Sequence, residues 1–298
     1  MTHPLFSLAD LWIGRSATPS AQALEAVSGV APAVVVTGGS RGIGRAIAAR
    51  FARAGRDLVL IARERAPLEA AAEEIARQAG VRAVPLALDV SLPDAPQQLD
   101  TALREARLYA DVLVNNAGVG LAGPFTDPPL PELERLITLN ITAASRLMHH
   151  VLPAMLARAR GGILNIGSLG GLVPGPYQAA YYASKAYLVS LTEAVAYEVR
   201  GRGVRIAVVA PGPVDTTFHR AMHAENALYR TIIPALSADA VARSAYRGFM
   251  IGRTVIVPGV LPSLGALGVK LLPHAISVPL VGALLAVGNG RPSGSDPL

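Results

Sequence analysis

The sequence predicts an α/β protein: a doubly wound parallel sheet of about seven strands with helices on both faces. Three observations lead there. Short apolar runs of strand length recur between segments of helical period; the first of them opens directly into a glycine-rich turn; and polar turn residues follow one strand after another. When strands and helices alternate in this way, each crossover returns the chain to the same edge and the strands pair in parallel.

Taken in order, Ala33-Val34-Val35-Val36 is the β-branched run of a strand buried on both faces. Thr37-Gly38-Gly39-Ser40-Arg41-Gly42-Ile43-Gly44 follows, and then a helix from Arg45 to Ala54 that carries Ala46, Ile47, Ala49 and Phe51 and stops at Gly55. The second strand is Asp57 to Ala62, with a helix from Pro67 to Ala79. Arg82 to Leu88 forms the third, ending at Asp89-Val90, and Asp111 to Val114 the fourth, ending at Asn115-Asn116-Ala117-Gly118. A long helix spans Leu130 to Ala159 and sets Asn140 among Leu136, Ile137, Leu139, Ile141 and Leu147. The fifth strand, Gly162 to Gly167, delivers Ser168 at its end. Pro174 and Pro176 hold the chain out of helix until the segment of Tyr181, which runs to about Arg200. Val204 to Val209 is the sixth strand, ending in Pro211-Gly212-Pro213-Val214-Asp215-Thr216; Ala238 to Phe249 is helical and Thr254 to Val257 the seventh strand. The chain thus divides into an extension over 1–30, a dinucleotide-binding and catalytic domain over 31–258, and an apolar extension over 259–298.

Composition narrows the function. The chain has 298 residues, 51% of them hydrophobic and 16% charged, enough for one large core. Cysteine is absent, which excludes disulfides, thiolate metal sites and cysteine nucleophiles and fits a reducing, cytoplasmic setting. Net charge is +6 and the pI about 10.0, yet the arginines are scattered at helical spacing with no basic block, so no nucleic-acid partner is expected. The opening residues lack a basic region before an apolar run, so no leader is expected. Leu5, Phe6, Leu8, Leu11, Trp12 and Ile13 form an apolar hook, either a loose terminus or a segment that docks on the domain or a partner.

Two stretches carry chemistry. Strand, glycine turn and helix in succession make a phosphate cradle, because glycines allow close backbone approach and the free N–H groups of the helix start attract a pyrophosphate. The spacing here is Gly38-x-x-x-Gly42-x-Gly44, and an ordinary tight turn is the plain alternative. The second strand ends in Arg63, which with Arg41 offers guanidinium groups to a 2′-phosphate. NADP is therefore favoured over NAD, although Glu64 offers an acceptor to a ribose hydroxyl. The second stretch is Tyr181-Tyr182-Ala183-Ser184-Lys185. Residues four apart share a helix face, and a cation near a phenol favours the phenolate, so Tyr181 can exchange a proton with a substrate oxygen. Lys185 and Lys270 are the only lysines beside 25 arginines, so a lysine here runs against the composition of the chain. A compact ammonium is not interchangeable with a guanidinium.

With the glycine loop, Asn115-Asn116-Ala117-Gly118, a serine thirteen residues before the tyrosine, and Tyr181-x-x-x-Lys185 in this order, the chain resembles the short-chain dehydrogenase/reductase family over about residues 32 to 258. The resemblance implies a Rossmann-type fold and an oxidoreductase that interconverts a carbonyl and a secondary alcohol. It implies Tyr181 as general acid or base, Lys185 as the group that lowers its pKa and holds the nicotinamide ribose, Ser168 as donor to the reacting oxygen, and Asn140 as anchor of a water relay to Lys185. It further implies Gly38, Ser40, Arg41, Gly42, Ile43 and Gly44 at the pyrophosphate, Asp89 and Val90 at the adenine, Asn116, Ala117 and Gly118 along the middle of the cofactor, and Pro211, Gly212, Val214 and Thr216 at the nicotinamide end. Homodimers or homotetramers are expected on the same ground. A non-catalytic NADP-binding regulator or scaffold on this fold is the alternative.

Other chemistries fare worse. Ile166-Gly167-Ser168-Leu169-Gly170 lacks the first glycine of a nucleophile elbow, which argues against a hydrolase. His149-His150 and the pair His219 and His223 lack the glutamate of a zinc motif, so no metal is expected. The tail carries Leu261, Leu264, Leu267, Val269, Leu271, Leu272, Ile276, Val278, Leu280, Val281, Leu284 and Leu285, interrupted by Pro262, Pro273 and Pro279. It is too broken to span a bilayer and is expected to pack on the protein, over the substrate cleft or between subunits, which also suggests a lipophilic substrate; contact with a membrane surface is the other choice. Leu121, Phe125, Leu172, Phe218 and Met222, in the loops that would shape the pocket, lean apolar.

Overall fold

The computed structural model describes residues 17–216, 218, 222, 234–259, 268 and 272–286. Seven parallel strands form one sheet: β1 (Ala31–Thr37), β2 (Asp57–Ala62), β3 (Ala83–Ala87), β4 (Leu108–Asn115), β5 (Gly161–Ile166), β6 (Val204–Val209) and, beyond a short parallel pair of β7 (Val214–Asp215) with β8 (Leu236–Ser237), β9 (Val255–Ile256). Their spatial order is β3-β2-β1-β4-β5-β6-β9. The chain therefore builds outward from β1 in one direction, returns, and builds outward from β4 in the other. The reversal opens a crevice at the carboxyl ends of β1 and β4.

The helices cover both faces. A five-residue α1 (Ala21–Glu25) precedes β1, capped by the Ser20 hydroxyl, and the Ser20 N–H donates to the Ala157 carbonyl at 2.8 Å. One face carries α2 (Gly42–Arg53) and α3 (Arg65–Ala79), joined after β8 by α8 (Ala238–Met250). Their Ile47, Phe51, Leu68, Ile75 and Phe249 pack on Val34, Val36, Leu58 and Leu60. The other face carries α4 (Ala95–Glu105), α6 (Ala144–Ala157) and α7 (Ala179–Glu198), with Leu99, Leu147, Met155 and Val195 against Val35, Val59, Ile61 and Leu113. Alternate residues of each strand thus serve opposite cores, which is why the strands read as unbroken apolar runs.

Four expectations are corrected. The helix α4 lies in a stretch given no element, although Ala95, Leu99 and Leu103 bury one side at helical spacing. Strand β4 begins at Leu108 instead of Asp111, and the register slips between Ala33, opposite Ala110, and Val34, opposite Val112, so that Asp111 sits in a bulge. The long helix is interrupted: α5 (Leu130–Ile137) passes through a π-helical turn, Thr138–Ala143, before α6, and Asn140 lies in that turn. Wide turns of this kind concentrate at functional sites. Finally, Pro279 does not interrupt the tail but lies inside α9 (His274–Leu285), which buries Val281 and Leu285 and leaves Ile276 and Leu280 exposed. The apolar hook before residue 17, His219, His223 and most of the tail apolar residues before Leu272 lie outside the described residues. Among those described, no helix is long and apolar enough to cross a membrane.

Candidate active site

A cleft of about 1810 Å³ fills the crevice at the reversal of strand order. Its cofactor end is a set of backbone turns held by two side chains. The Thr37 hydroxyl accepts from the N–H groups of Asn116 (2.9 Å) and Ala117 (3.0 Å) and donates to the Val114 carbonyl at 3.3 Å. Asn116 returns the link, its Nδ2 donating to the carbonyls of Thr37 (2.9 Å) and Gly38 (3.1 Å). The loops after β1 and β4 are thereby locked together. Gly38 has φ +64°, and a Cβ there would stand 2.6 Å from Asn116 Nδ2; at Gly44 it would stand 2.4 Å from the same atom and from the Gly38 carbonyl. Only glycine fits both places. The helix α2 starts at Gly42, and Arg41 before it gives no side-chain cap, so the first-turn N–H groups are left for a ligand oxygen. Thr216 closes over this turn, its methyl 3.5 Å from where a Gly42 Cβ would be.

Beyond the loop, Arg41, Arg63 and Glu64 all line the cleft. Glu64 pairs with Arg41 at 3.5 Å across exposed side chains, an interaction worth little in water. Asp89 ends the third strand and accepts from the Ser91 hydroxyl at 2.6 Å and its N–H at 2.9 Å. Burial pushes its carboxyl up, but those two hydrogen bonds and the positive fields of Arg63 and Arg135 outweigh this and leave it below the ordinary aspartate value.

At the chemical end, α7 places Tyr181 and Lys185 on the cleft wall one turn apart. The Lys185 ammonium lies 5.7 Å from the centre of the Tyr181 ring and donates to the Ile166 carbonyl at 2.9 Å. It is buried, and loss of water pushes it down to about 8. Among the described residues no carboxylate offsets it. Ser168, at the end of β5, accepts from the Gly170 N–H at 3.0 Å; among the described residues its own hydrogen has no acceptor, so it can donate into the cleft. The Tyr181 ring also packs on Phe218, centroids 5.6 Å apart.

Asn140 stands behind this wall. Its Oδ1 accepts from the Val119 N–H (2.9 Å), and its Nδ2 donates to the Val119 carbonyl (2.8 Å) and to Ser184 Oγ (3.0 Å), which in turn donates to the Tyr181 main-chain carbonyl at 2.7 Å. The side chain therefore ties the loop after β4 to the start of α7. Ser40, Arg41, Gly42, Ile43, Arg63, Asp89, Val90, Asn116, Ala117, Gly118, Pro211, Gly212, Val214 and Thr216 all reach the cleft, as do Gly38, Ser168, Tyr181 and Lys185. Gly44 and Asn140 support it from behind. Thr37 and Ser184 were quoted in the two motifs without a role; each proves to be a hinge pin of hydrogen bonds. Asn115 turns the other way, into the core, where its Nδ2 donates to Asn165 Oδ1 at 3.0 Å. No group of three or more metal-capable side chains occurs among the described residues, and His150 pairs with Asp100 at 2.8 Å.

A parallel sheet whose strand order reverses, with a glycine cradle at the reversal, is the doubly wound fold whose crevice suits a dinucleotide. A short chain dehydrogenase model matches residues 32–227, and the chain belongs to that family. It is 38% identical over 213 residues to sulfoacetaldehyde reductase 2 of Chromohalobacter salexigens, covering 69% of this chain and 84% of that protein. It is 36% identical over 184 residues to a short chain dehydrogenase of Pseudocercospora fijiensis, covering 61% of this chain and 59% of that protein. With the very-long-chain 3-oxoacyl-CoA reductase of Laccaria bicolor the identity is 37% over 174 residues, and the match covers 52% of that protein. Among solved structures, a short-chain dehydrogenase from Sphingobium yanoikuyae in complex with NADPH is 34% identical with a TM-score of 0.70, covering 80% of this chain and 92% of that one. A metagenomic short-chain oxidoreductase in complex with NADP is 35% identical with a TM-score of 0.63, covering 77% and 98%.

Proposed function

We propose that the protein is an NADP-dependent oxidoreductase that interconverts a carbonyl and a secondary alcohol on an apolar substrate. The observation that carries this is the buried Lys185 ammonium on the cleft wall beside Tyr181, with the Ser168 hydroxyl hydrogen free to donate. Such a cation, with no carboxylate to neutralise it, favours an anionic neighbour. When bound, the cofactor exchanges a hydride with the substrate carbon. The chain supplies the rest. Ser168 and Tyr181 donate to the carbonyl oxygen, Tyr181 yields its proton as negative charge gathers there, and Lys185 stabilises the phenolate left behind. In the oxidative direction the same groups act in reverse. The first turn of α2 would hold the pyrophosphate, Asp89 the adenine side, and Lys185 the nicotinamide ribose.

Support for NADP comes from Arg41 and Arg63, both of which line the cleft at the adenine end. Support for an apolar substrate comes from Leu121, Leu172, Phe218, Met222 and the α9 residues Val281, Leu284 and Leu285, all of which line the cleft. Residues 259–298 on this reading are a cleft-covering extension of a 31–258 catalytic domain, in a cytoplasmic homodimer or homotetramer. The test is a spectrophotometric screen of NADPH and NADH against aldehydes, ketones and 3-oxoacyl compounds. Carbonyl-dependent NADPH oxidation that Tyr181→Phe removes is the expected result. Tight NADPH binding with no turnover of any carbonyl would refute it and leave a cofactor-binding regulator.

A further inference from the structure

The loop that carries Ser168 lies close against α7, and one side chain of that helix sets how close. It is Tyr182, the neighbour of Tyr181. A Cβ at Gly170 would stand 2.9 Å from Cζ of the Tyr182 ring, and one at Gly175 would stand 2.3 Å from its Cγ. Gly170 therefore rests at the outer end of the ring and Gly175 at the inner end. Between them Gly171 meets the helix backbone, where a Cβ would stand 2.7 Å from the Lys185 carbonyl oxygen. Side chains at these three positions would lift the loop off α7. The ring itself is half-buried, lines the cleft and meets the Tyr181 ring edge-on, centroids 6.1 Å apart.

This contact leads straight to a polar group of the cleft. The Gly170 N–H donates to Ser168 Oγ at 3.0 Å, and the Gly171 N–H donates to the Ser168 carbonyl at 2.9 Å. The first bond takes one acceptor site of the hydroxyl and so narrows the directions in which its hydrogen can point. The glycine that makes this bond is the one seated on Tyr182. On the other side the turn is held by the Leu169 N–H, which donates to the Pro211 carbonyl at 2.9 Å. Tyr182 thus joins the two hydroxyls: its backbone continues that of Tyr181, and its ring supports the turn that aims Ser168.

We propose that Tyr182 is a positioning residue, its ring a flat platform that fixes the Ser168 turn against α7 and so aims the Ser168 and Tyr181 hydroxyls at one substrate oxygen. The inference rests on the carbonyl-reductase reading above. An aromatic ring suits the task because it is rigid and carries few torsions, so it holds the loop at one height.

Initial rates with NADPH and heptan-2-one test it. Tyr182→Ala is expected to lower kcat about tenfold with KM within about threefold, and Tyr182→Phe, which keeps the ring, to return kcat to within about twofold of wild type. Ser168→Ala is expected to lower kcat about 10²-fold, and Tyr182→Ala added to it to cost no more than about twofold further, because a residue that acts through Ser168 then has nothing left to aim. Full additivity of the two losses, or equal falls for Tyr182→Ala and Tyr182→Phe, overturns the proposal. Hydrogen–deuterium exchange of the full chain reads the platform without turnover: amides of residues 169–175 are expected to exchange about tenfold faster in Tyr182→Ala and at the wild-type rate in Tyr182→Phe, with the sheet unchanged. Unchanged exchange over 169–175, or a rise spread over the whole chain, overturns it as well. A wild-type protein that reduces neither heptan-2-one nor any other carbonyl contradicts the reductase reading alone, and the exchange experiment then decides the role of Tyr182.

Discussion

The two rims of the sheet bury charge in opposite ways. At the amino rim, Asp111 is wholly inaccessible in its bulge and is gripped by Arg56 and, through Nε at 2.9 Å and Nη2 at 3.2 Å, by Arg160. Nearby, Arg158 stacks over the Tyr109 ring at 4.7 Å and donates to the Ala110 carbonyl. At the carboxyl rim, Lys185 is also buried, but it donates to a neutral carbonyl and lies beside a phenol ring. One rim neutralises its charge within the protein; the other holds its charge ready for something that arrives. Burial alone does not mark a functional group; a buried charge that also lines a cleft and lacks a carboxylate partner is a candidate for one.

The largest effect expected on this contrast is Tyr181→Phe, which removes the proposed proton donor at the carboxyl rim: turnover falls about 10³-fold with NADPH affinity within about threefold, measured by initial rates and cofactor titration. Asp111→Ala acts at the other rim and leaves two guanidinium groups unbalanced. A stability loss of about 3–5 kcal/mol is expected in chemical denaturation, with the kcat/KM of the folded protein unchanged; a loss of activity in a fully folded variant would show that the rims are coupled. Lys185→Met sharpens the comparison through pH. Burial lowers the folded-state value of Lys185 to about 8 from the ordinary 10.5, so the unfolded chain holds that proton more tightly. The penalty is complete below pH 8 and fades as pH rises toward 10.5, with a ceiling of about 3 kcal/mol. The inactive variant is therefore expected to be more stable than wild type at pH 7, and its advantage to shrink by pH 10. The smallest effect is Arg63→Ala, for which KM for NADPH is expected to rise about tenfold and that for NADH to stay within about twofold.

What was legible in the sequence follows the physics of each element. The β1 turn could be read because its backbone admits glycine alone at Gly38 and Gly44, and α7 because Tyr181 and Lys185 need only helix spacing to meet. The π-turn at Asn140 was hidden, since one widened turn leaves the apolar spacing around Leu136 and Leu147 nearly unchanged. The bulge at Asp111 was hidden too: the arginines that pair with Asp111 there are distant in sequence. Helix α4 was legible in Ala95, Leu99 and Leu103 and was passed over for the Asp89-Val90 terminus before it. Pro279 misled in the tail. It forfeits one helix hydrogen bond, yet Val281 and Leu285 bury enough surface for α9 to continue past it.

The approach of Gly282 to Pro176 has a wider bearing. A Cβ at Gly282 would come within 3.3 Å of the Pro176 ring, so α9 rests directly on the segment that leads into α7. The wall that admits a substrate is thus supplied by a part of the chain that carries none of the proton-transfer groups. On the proposed reading, selectivity can drift through Val281, Leu284 and Leu285 while Tyr181 and Lys185 keep their places, because the two groups belong to separate segments of the chain.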